Sequence, residues 1–369
     1  MSKYFHKLPI KEIIAETEDA YTLVFPKPEA EDFSYLPGQY LTLRVMIDGT
    51  EERRAYSLSS CPFTDEDLAI SIKRVEQGKV SNYLADRLEE GAEVELMRPM
   101  GKFLIEPDIT QSRHCIMIGA GSGITPLFSM IKGVLDQEPE SKVSLWYGNR
   151  REDSVMFARQ LSLLQERYRE RLQIVHVLSR ATEEWKGLRG RLDKDRVYKL
   201  LSNLFMEDDF RKEYYLCGPR GMMDAAIEAF DKHSVHPGFI HQEHFSAELP
   251  SDEELDALAA AENESLTVSD GEEEYEIVEQ EVSVKLNGNT HKLIVKPSES
   301  VLSALLDQDI DAPYTCLAGI CTTCLAKINK GLVAMDTTDG LTDQEMEEGY
   351  ILTCQAHPLD DEVEIEFPE

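Results

Sequence analysis

The stretch "CLAGICTTC" puts three cysteines, Cys316, Cys321 and Cys324, into nine residues, and a fourth, Cys354, follows in "LTCQAHP". Written as spacing, this is C-x4-C-x2-C-x29-C. Any fold of this chain must close three thiols into one tight loop and carry a fourth to meet them. Such a loop turns its backbone N–H groups toward the sulfurs, and Gly319 suits it because glycine tolerates positive φ. The spacing matches one by which four thiolates hold two irons in a [2Fe–2S] centre. Zinc is the competing occupant, but zinc knuckles prefer paired C-x2-C units and only one is present. Unliganded cysteines are a weaker alternative, since four thiols at these intervals seldom coincide.

Seven cysteines among 369 residues is an odd number, unevenly spread. That is no secreted disulfide framework, and a reducing cytoplasm fits it better. The opening "MSKYFHKLPIKEIIAE" lacks the apolar core of a signal peptide. No stretch reaches the roughly 18 apolar residues of a membrane span. The net charge of -32 is lopsided: residues 1–247 hold 40 acids and 33 bases, and residues 248–369 hold 30 acids and 5 bases. Such a field repels phosphates and excludes nucleic acid as a partner. It fits a partner protein with a complementary basic patch. Acidity for solubility or a salt-rich habitat gives the same composition.

The length allows two or three domains, and no internal repeat appears. Residues 8–107 carry short alternating runs such as "YTLVF", "YLTLRVMI" and "LAISIKRV", which predict an antiparallel β-barrel over 1–110. From Arg113 to Phe245 apolar strands ("HCIMIGAG", "KVSLWYGN", "LQIVHVLS", "EYYLCGP") alternate with helical stretches near 125–137, 154–169, 193–202 and 219–232. This is the rhythm of a doubly wound parallel α/β domain, placed at 111–247. Residues 248–276 lack Lys and Arg and read as a flexible acidic linker, with a helical turn or two around Glu253–Ala261. The remainder, 277–369, reads as a small α+β domain with a helix near Ser300–Asp307.

The segment "SVLSALLDQDIDAPYTCLAGICTTC", together with "YILTCQAHP", resembles a plant-type ferredoxin domain of the β-grasp fold. That resemblance implies that Cys316, Cys321, Cys324 and Cys354 ligate the cluster. Thr322 stands where many such domains have Ser, which keeps the hydroxyl.

"RAYSLSS", Arg54 to Ser60, resembles the R-x-Y-S motif of the ferredoxin–NADP reductase family. An Arg can neutralise a flavin pyrophosphate, and a Tyr two residues on shares its strand face and can pack on a flat ring. Arg54, Tyr56 and Ser57 are thus candidate flavin residues. "PGQYLTL", "GKVSNYLADRL" and "RPMGKF" match the family's neighbouring segments in order. There Gly78 and Val80 admit the pyrophosphate, and Ser81 is expected to cap the helix. The helix after Gly78 favours FAD over FMN. "GAGSGITPL" resembles the family's G-x-G-x-G-x-x-P turn, with Gly119, Gly121, Gly123 and Thr125 facing the nicotinamide nucleotide. In "YLCGPRGMM", Cys217 corresponds to a cysteine beside the nicotinamide, a positioning group and not a nucleophile. "HQEHF" supplies Glu243 and Phe245 to close over the flavin, and with Ser57 and Cys217 it completes the candidate catalytic set. His241 and His244 also invite a metal-site reading, weakened because a strand sends them to opposite faces.

After the third strand of the nucleotide domain there is no acid to pair with a ribose. Ser179 and Arg180 stand there instead, with Arg189 and Arg191 close behind. Cations and a hydroxyl suit a 2′-phosphate, so NADPH is expected, with NADH the alternative. FAD with a C-terminal ferredoxin resembles the reductase components of the phenylacetyl-CoA ring-epoxidising oxygenase and its relatives. By that resemblance electrons enter from NADPH as hydride, cross FAD, and leave singly through [2Fe–2S] to a terminal oxygenase. A Rieske hydroxylase or an acyl desaturase is the alternative acceptor. An electron carrier or redox sensor with a vestigial flavin module is the non-enzymatic alternative.

Overall fold

The structure, a computed structural model, describes residues 5–28, 33–205, 210–245, 267–270, 273–276, 279–297, 299–317, 319–338, 340–360 and 362–368. The chain divides after Phe245 into two compact units.

The first unit opens with β1 (Phe5–Pro9), β2 (Glu12–Thr17), β3 (Ala20–Phe25), β4 (Tyr40–Ile47), β5 (Thr50–Ser57), β6 (Leu68–Lys73), α1 (Lys79–Arg87) and β7 (Glu93–Met97). The strands pair antiparallel in two sheets, β1-β7-β4-β5 and β2-β3-β6. A bridge from Leu58 to Ile70 joins the sheets into the expected barrel. Inward residues such as Leu23, Leu41, Leu43 and Ile70 fill it, and α1 sets Val80 and Leu84 against them. The alternation of β-branched and aromatic residues is what a pleated, half-buried surface selects.

There follow β8 (Arg113–Ala120), α2 (Ile124–Gln137), β9 (Lys142–Asn149), α3 (Ala158–Arg167), β10 (Leu172–Leu178), β11 (Leu188–Arg189), α4 (Lys194–Phe205), β12 (Arg211–Cys217), α5 (Arg220–Lys232) and β13 (Ile240–Glu243). The six strands form a parallel sheet in the order β11-β10-β9-β8-β12-β13. Along β8, Cys115 and Met117 pack toward α2 and α3, whereas Ile116 and Ile118 pack toward α4 and α5. Both faces are therefore covered, which is why the strands read as near-continuous apolar runs. The strand order reverses between β8 and β12, where a doubly wound sheet opens a crevice for ligands. The helix expected from 154 begins later, at Ala158. Phe157 takes φ 58° and stacks on Phe128 with ring centroids 4.3 Å apart, so the backbone leaves the helical region there.

In the second unit β14 (Thr267–Asp270) and β15 (Glu273–Glu276) pair antiparallel, register Val268 to Tyr275. These residues were expected to belong to a flexible tether. Thr, Val and Tyr are strand formers, and the local pairing prevails over the charge. The turn expected at Glu253–Ala261 lies outside the described residues. Next come β16 (Gln280–Leu286), β17 (Asn289–Val295), α6 (Val301–Asp307), β18 (Leu325–Lys330), β19 (Val333–Met335), α7 (Asp343–Glu347), β20 (Tyr350–Leu352), β21 (Ala356–Pro358) and β22 (Val363–Glu366). The main sheet runs β17-β16-β22-β18-β20, with β16 and β22 parallel. Ser300 caps α6 by accepting from Ser303 N, and Val301, Leu302 and Leu305 seat that helix on the sheet. Among the described residues no helix is long and apolar enough to cross a membrane.

Candidate functional site

The cysteine loop lies between α6 and β18. Pairing of β18 with β20 puts Leu325 opposite Leu352, and so carries the preceding Cys324 to the following Cys354. Their sulfurs are 3.3 Å apart. Thr353 fastens this corner, its N–H and Oγ1 donating to Cys324 O at 3.1 and 2.9 Å. Hydrogen bonds involving Cys316 raise the Cys321 and Cys354 thiols, so all four sulfurs converge, and none is in a disulfide. Gly319 takes φ +69°, and a Cβ there would lie 2.4 Å from Thr337 Cγ2. Three free thiols in one glycine-tightened loop, with Cys354 brought to them from beyond β20, fit a four-thiolate cluster. Sequence reasoning missed two supports of the loop. Thr323 Oγ1 accepts from Thr315 Oγ1 at 3.0 Å, and Gln355 Nε2 donates to Leu317 O and Cys354 O at 3.0 and 2.9 Å. Gln355 could have been found from its place beside a cysteine, but nothing in the chain marks Thr323 above Thr322.

In the barrel, "PGQY" and "RPMG" meet. Tyr40 N donates to Met100 O at 2.8 Å, and Gln39 Nε2 donates to Gly101 O at 3.2 Å. Gly38 takes φ +105° with no room for a Cβ, which would sit 2.3 Å from Phe103 O. Tyr56 is half-buried on β5, and burial pushes its phenol up. Arg54 is 50% exposed and pairs with Glu52 at 3.2 Å, and Lys79 at the start of α1 pairs with the same carboxylate at 2.7 Å. Two cations thus stand beside a helix N-terminus, a donor set that fits a pyrophosphate. Ser81 departs from expectation. The cap of α1 is Gly78, and Ser81 lies inside the helix with its Oγ accepting from Val75 N at 3.1 Å. Its hydroxyl closes the turn before the helix, because Gly78 packs the chain within reach. Val80 is buried against the barrel core.

At the crevice, register aligns three residues at the C-terminal ends of three parallel strands: Gly119 of β8 with Cys217 of β12, and Cys217 with Glu243 of β13. Gly121 takes φ +57°, and its carbonyl accepts from Tyr147 Oη at 2.9 Å. This tyrosine was invisible among the apolar residues of β9. Gly123 is pressed against β12, so a Cβ there would lie 2.1 Å from Cys217 O. Thr125 Oγ1 donates to Ser122 O at 3.0 Å and closes the first turn of α2. From the barrel, Ser57 Oγ donates to Glu243 Oε2 at 3.3 Å. An edge of Glu243 reaches solvent, yet packing around the carboxyl pushes it up to about 8, partly opposed by the Ser57 hydrogen bond. Burial, then the nearby Glu243, pushes the Cys217 thiol up, which favours its neutral form. The structure brings Ser57, Cys217, Glu243 and the glycine turn together. Phe245, 39% exposed, follows β13. His241 stacks on Tyr215 with centroids 4.7 Å apart.

Beyond β10, Ser179 and Arg180 are exposed, with Arg180 N donating to Arg150 O at 2.7 Å. Arg191 is also exposed. Arg189 is occupied otherwise than expected. Its guanidinium donates to the carbonyls of Ala181, Thr182, Glu183 and Trp185 at 2.6 to 3.2 Å. It staples its own loop, because four converging carbonyls satisfy a planar fork better than water does.

Comparison with known proteins agrees with this layout. The families described as "Oxidoreductase FAD-binding domain", "Oxidoreductase NAD-binding domain" and "2Fe-2S iron-sulfur cluster binding domain" match residues 6–105, 117–228 and 284–359. The chain is 35% identical over 369 residues to a 1,2-phenylacetyl-CoA epoxidase subunit of Escherichia coli (strain K12), covering 98% of each. It is 34% identical to the ferredoxin reductase component of 3-ketosteroid-9-alpha-monooxygenase of Rhodococcus rhodochrous, covering 98% of this chain and 96% of that one. The fold is similar to that of phthalate dioxygenase reductase, with TM-score 0.56, 21% identity and 98% coverage of both chains. The chain therefore belongs to the oxidoreductases that join FAD-binding, NAD-binding and 2Fe-2S domains in one polypeptide as the electron-transfer components of oxygenase systems.

Proposed function

We propose that this chain draws hydride from NADPH and delivers single electrons to a di-iron oxygenase of the phenylacetyl-CoA epoxidase type, in the cytoplasm. The observation that carries the acceptor class is the end-to-end identity with the epoxidase subunit of Escherichia coli. Bound flavin accepts an electron pair as hydride, and a four-thiolate cluster accepts electrons one at a time, which is the chemistry the cofactors supply. The chain's residues do the rest. Gly119, Gly121 and Gly123 let the nucleotide approach the sheet, and Thr125 stiffens their turn. Cys217, neutral and buried, would help to position the nicotinamide. Ser57 and Glu243 hold a proton at the hydroxyl–carboxyl contact beside the flavin edge. Arg54 and Lys79 would hold the pyrophosphate, and Tyr56 and Phe245 would hold the flavin ring. Ser179, Arg180 and Arg191 favour the 2′-phosphate. Cys316, Cys321, Cys324 and Cys354 hold the cluster, and the acceptor approaches with a basic face.

The test is Cys321→Ser. It is expected to lose iron, keep NADPH-dependent ferricyanide reduction, and lose reduction of cytochrome c. Equal loss of both activities would sink the modular reading. Epoxidation of phenylacetyl-CoA by purified oxygenase components supplied with this chain and NADPH tests the acceptor. A steroid monooxygenase is the second reading, favoured by the 34% identity to the Rhodococcus reductase.

A further inference from the structure

Among the described residues of the cluster loop, one large apolar side chain is exposed. Leu317, next to Cys316, is 53% exposed and has φ +58°. Left-handed backbone disfavours every residue with a large side chain, and Gly or Asn would satisfy it better. Leu317 is nevertheless held there firmly. Its carbonyl accepts from Gln355 Nε2 at 3.0 Å, and the same nitrogen donates to Cys354 O at 2.9 Å. Two positions on, Gly319 presses the loop onto Thr337 and Gln355. The amide that steadies a ligand cysteine thus also fixes the leucine's backbone. Single exposed leucines are ordinary on protein surfaces. What sets this one apart is its left-handed backbone beside a cluster ligand. The other exposed large apolar side chains among the unit's described residues, Ile294, Leu332 and Met346, lie outside the loop.

The charge of the unit is also defined. Of the unit's five lysines, Lys285, Lys292, Lys296 and Lys330 pair with Glu366, Glu281, Glu299 and Glu362, and Lys327 lies over the Tyr350 ring. With 30 acids against 5 bases in residues 248–369, the unit keeps a large negative excess. We propose that Leu317 is the apolar contact of the acceptor-docking surface, seating in a hollow ringed by Lys and Arg on the acceptor protein. This rests on the reading that electrons leave through the ferredoxin unit. Charge then steers the encounter, and the leucine holds the docked pair once water is expelled.

The test uses the holoprotein and cytochrome c, an acceptor with a lysine-rich face. Leu317→Asn is expected to raise the KM for cytochrome c about tenfold, the scale of partial burial of one leucine side chain. Iron content and ferricyanide reduction should not change. The Tm should stay level or rise, since Asn tolerates the left-handed backbone. Because the contact is apolar, the tenfold ratio should persist at high salt. Leu317→Met should restore the KM to within about twofold of wild type, as a volume-conserving apolar swap does. Should the Asn variant lose iron, Leu317→Ala compared with Leu317→Met carries the test, and a severalfold gap between them is expected. An unchanged KM in Leu317→Asn, or equal KM values in the Ala and Met variants, would overturn the proposal. Wild-type protein that reduces ferricyanide but not cytochrome c would overturn electron exit through this unit, and the docking role with it. That outcome shows without any substitution and so is distinct from failure of the leucine alone.

Discussion

Ser57 Oγ donates to Glu243 Oε2 over 3.3 Å, although the two residues stand 186 positions apart. The bond ties β5 of the barrel to the last strand of the parallel sheet. It also places a protonated carboxyl where barrel and sheet meet, at the end of the crevice proposed for hydride transfer. Ser57→Ala removes one hydrogen bond of about 1–1.5 kcal/mol. NADPH-to-ferricyanide turnover is expected to slow about tenfold, with FAD content retained.

The carboxyl of Glu243 makes stability depend on pH. Burial raises it from 4.5 to about 8, so the folded chain keeps a proton that the unfolded chain releases. The contribution is fully present below the unfolded value and is lost as pH rises through the folded one. Thermal scans of the full chain are expected to show wild-type Tm falling relative to Glu243→Gln as pH rises from about 5 to about 9. Parallel curves would mean that Glu243 is already ionised at neutral pH.

Gly123 tolerates no side chain, since its Cβ would meet Cys217 O at 2.1 Å. Gly123→Ala must shift α2 or β12, and overpacking of this kind costs about 1–3 kcal/mol. Both a lowered Tm and a raised KM for NADPH are expected. Gly221→Ala, in α5 with open space around the added methyl, serves as the control and should be neutral or stabilising. Equal behaviour of the two variants would refute the close-approach account.

Arg180 and Arg189 should separate cleanly. Arg189 serves four carbonyls of its own loop, so Arg189→Met should weaken turnover with NADPH and NADH alike. Arg180 is exposed, and a charged hydrogen bond to a 2′-phosphate is worth about 1.5–3 kcal/mol. Arg180→Met should therefore raise the NADPH KM about tenfold or more and spare NADH. A wild-type preference for NADH would refute the assignment.

Acceptor docking should depend on salt. Reduction of a basic acceptor is expected to slow as ionic strength shrinks the Debye length from about 30 to about 10 Å. Ferricyanide reduction measured in parallel corrects for salt effects on the reductase unit. A flat acceptor-dependent rate would assign the acidic charge to solubility.

What the chain alone determined is what depends on near neighbours. Cysteine intervals announce a four-thiolate site because three of the candidate ligands share one turn. The period-two runs before residue 110 and the strand–helix rhythm after it predict barrel and parallel sheet, and both form. Gly319 marks a turn because glycine accepts positive φ without strain. Ser81 and Arg189 depart from their expected roles, since each has more than one partner within reach and only packing chooses between them. Tertiary pairing decided the rest. Register between β8, β12 and β13 lines up Gly119, Cys217 and Glu243, the β18–β20 pair delivers Cys324 to Cys354, and closure of the barrel on the sheet brings Ser57 to Glu243. Local sequence carries no signal for these contacts. They join residues far apart in the chain, and their energies exist only once the core has folded around them.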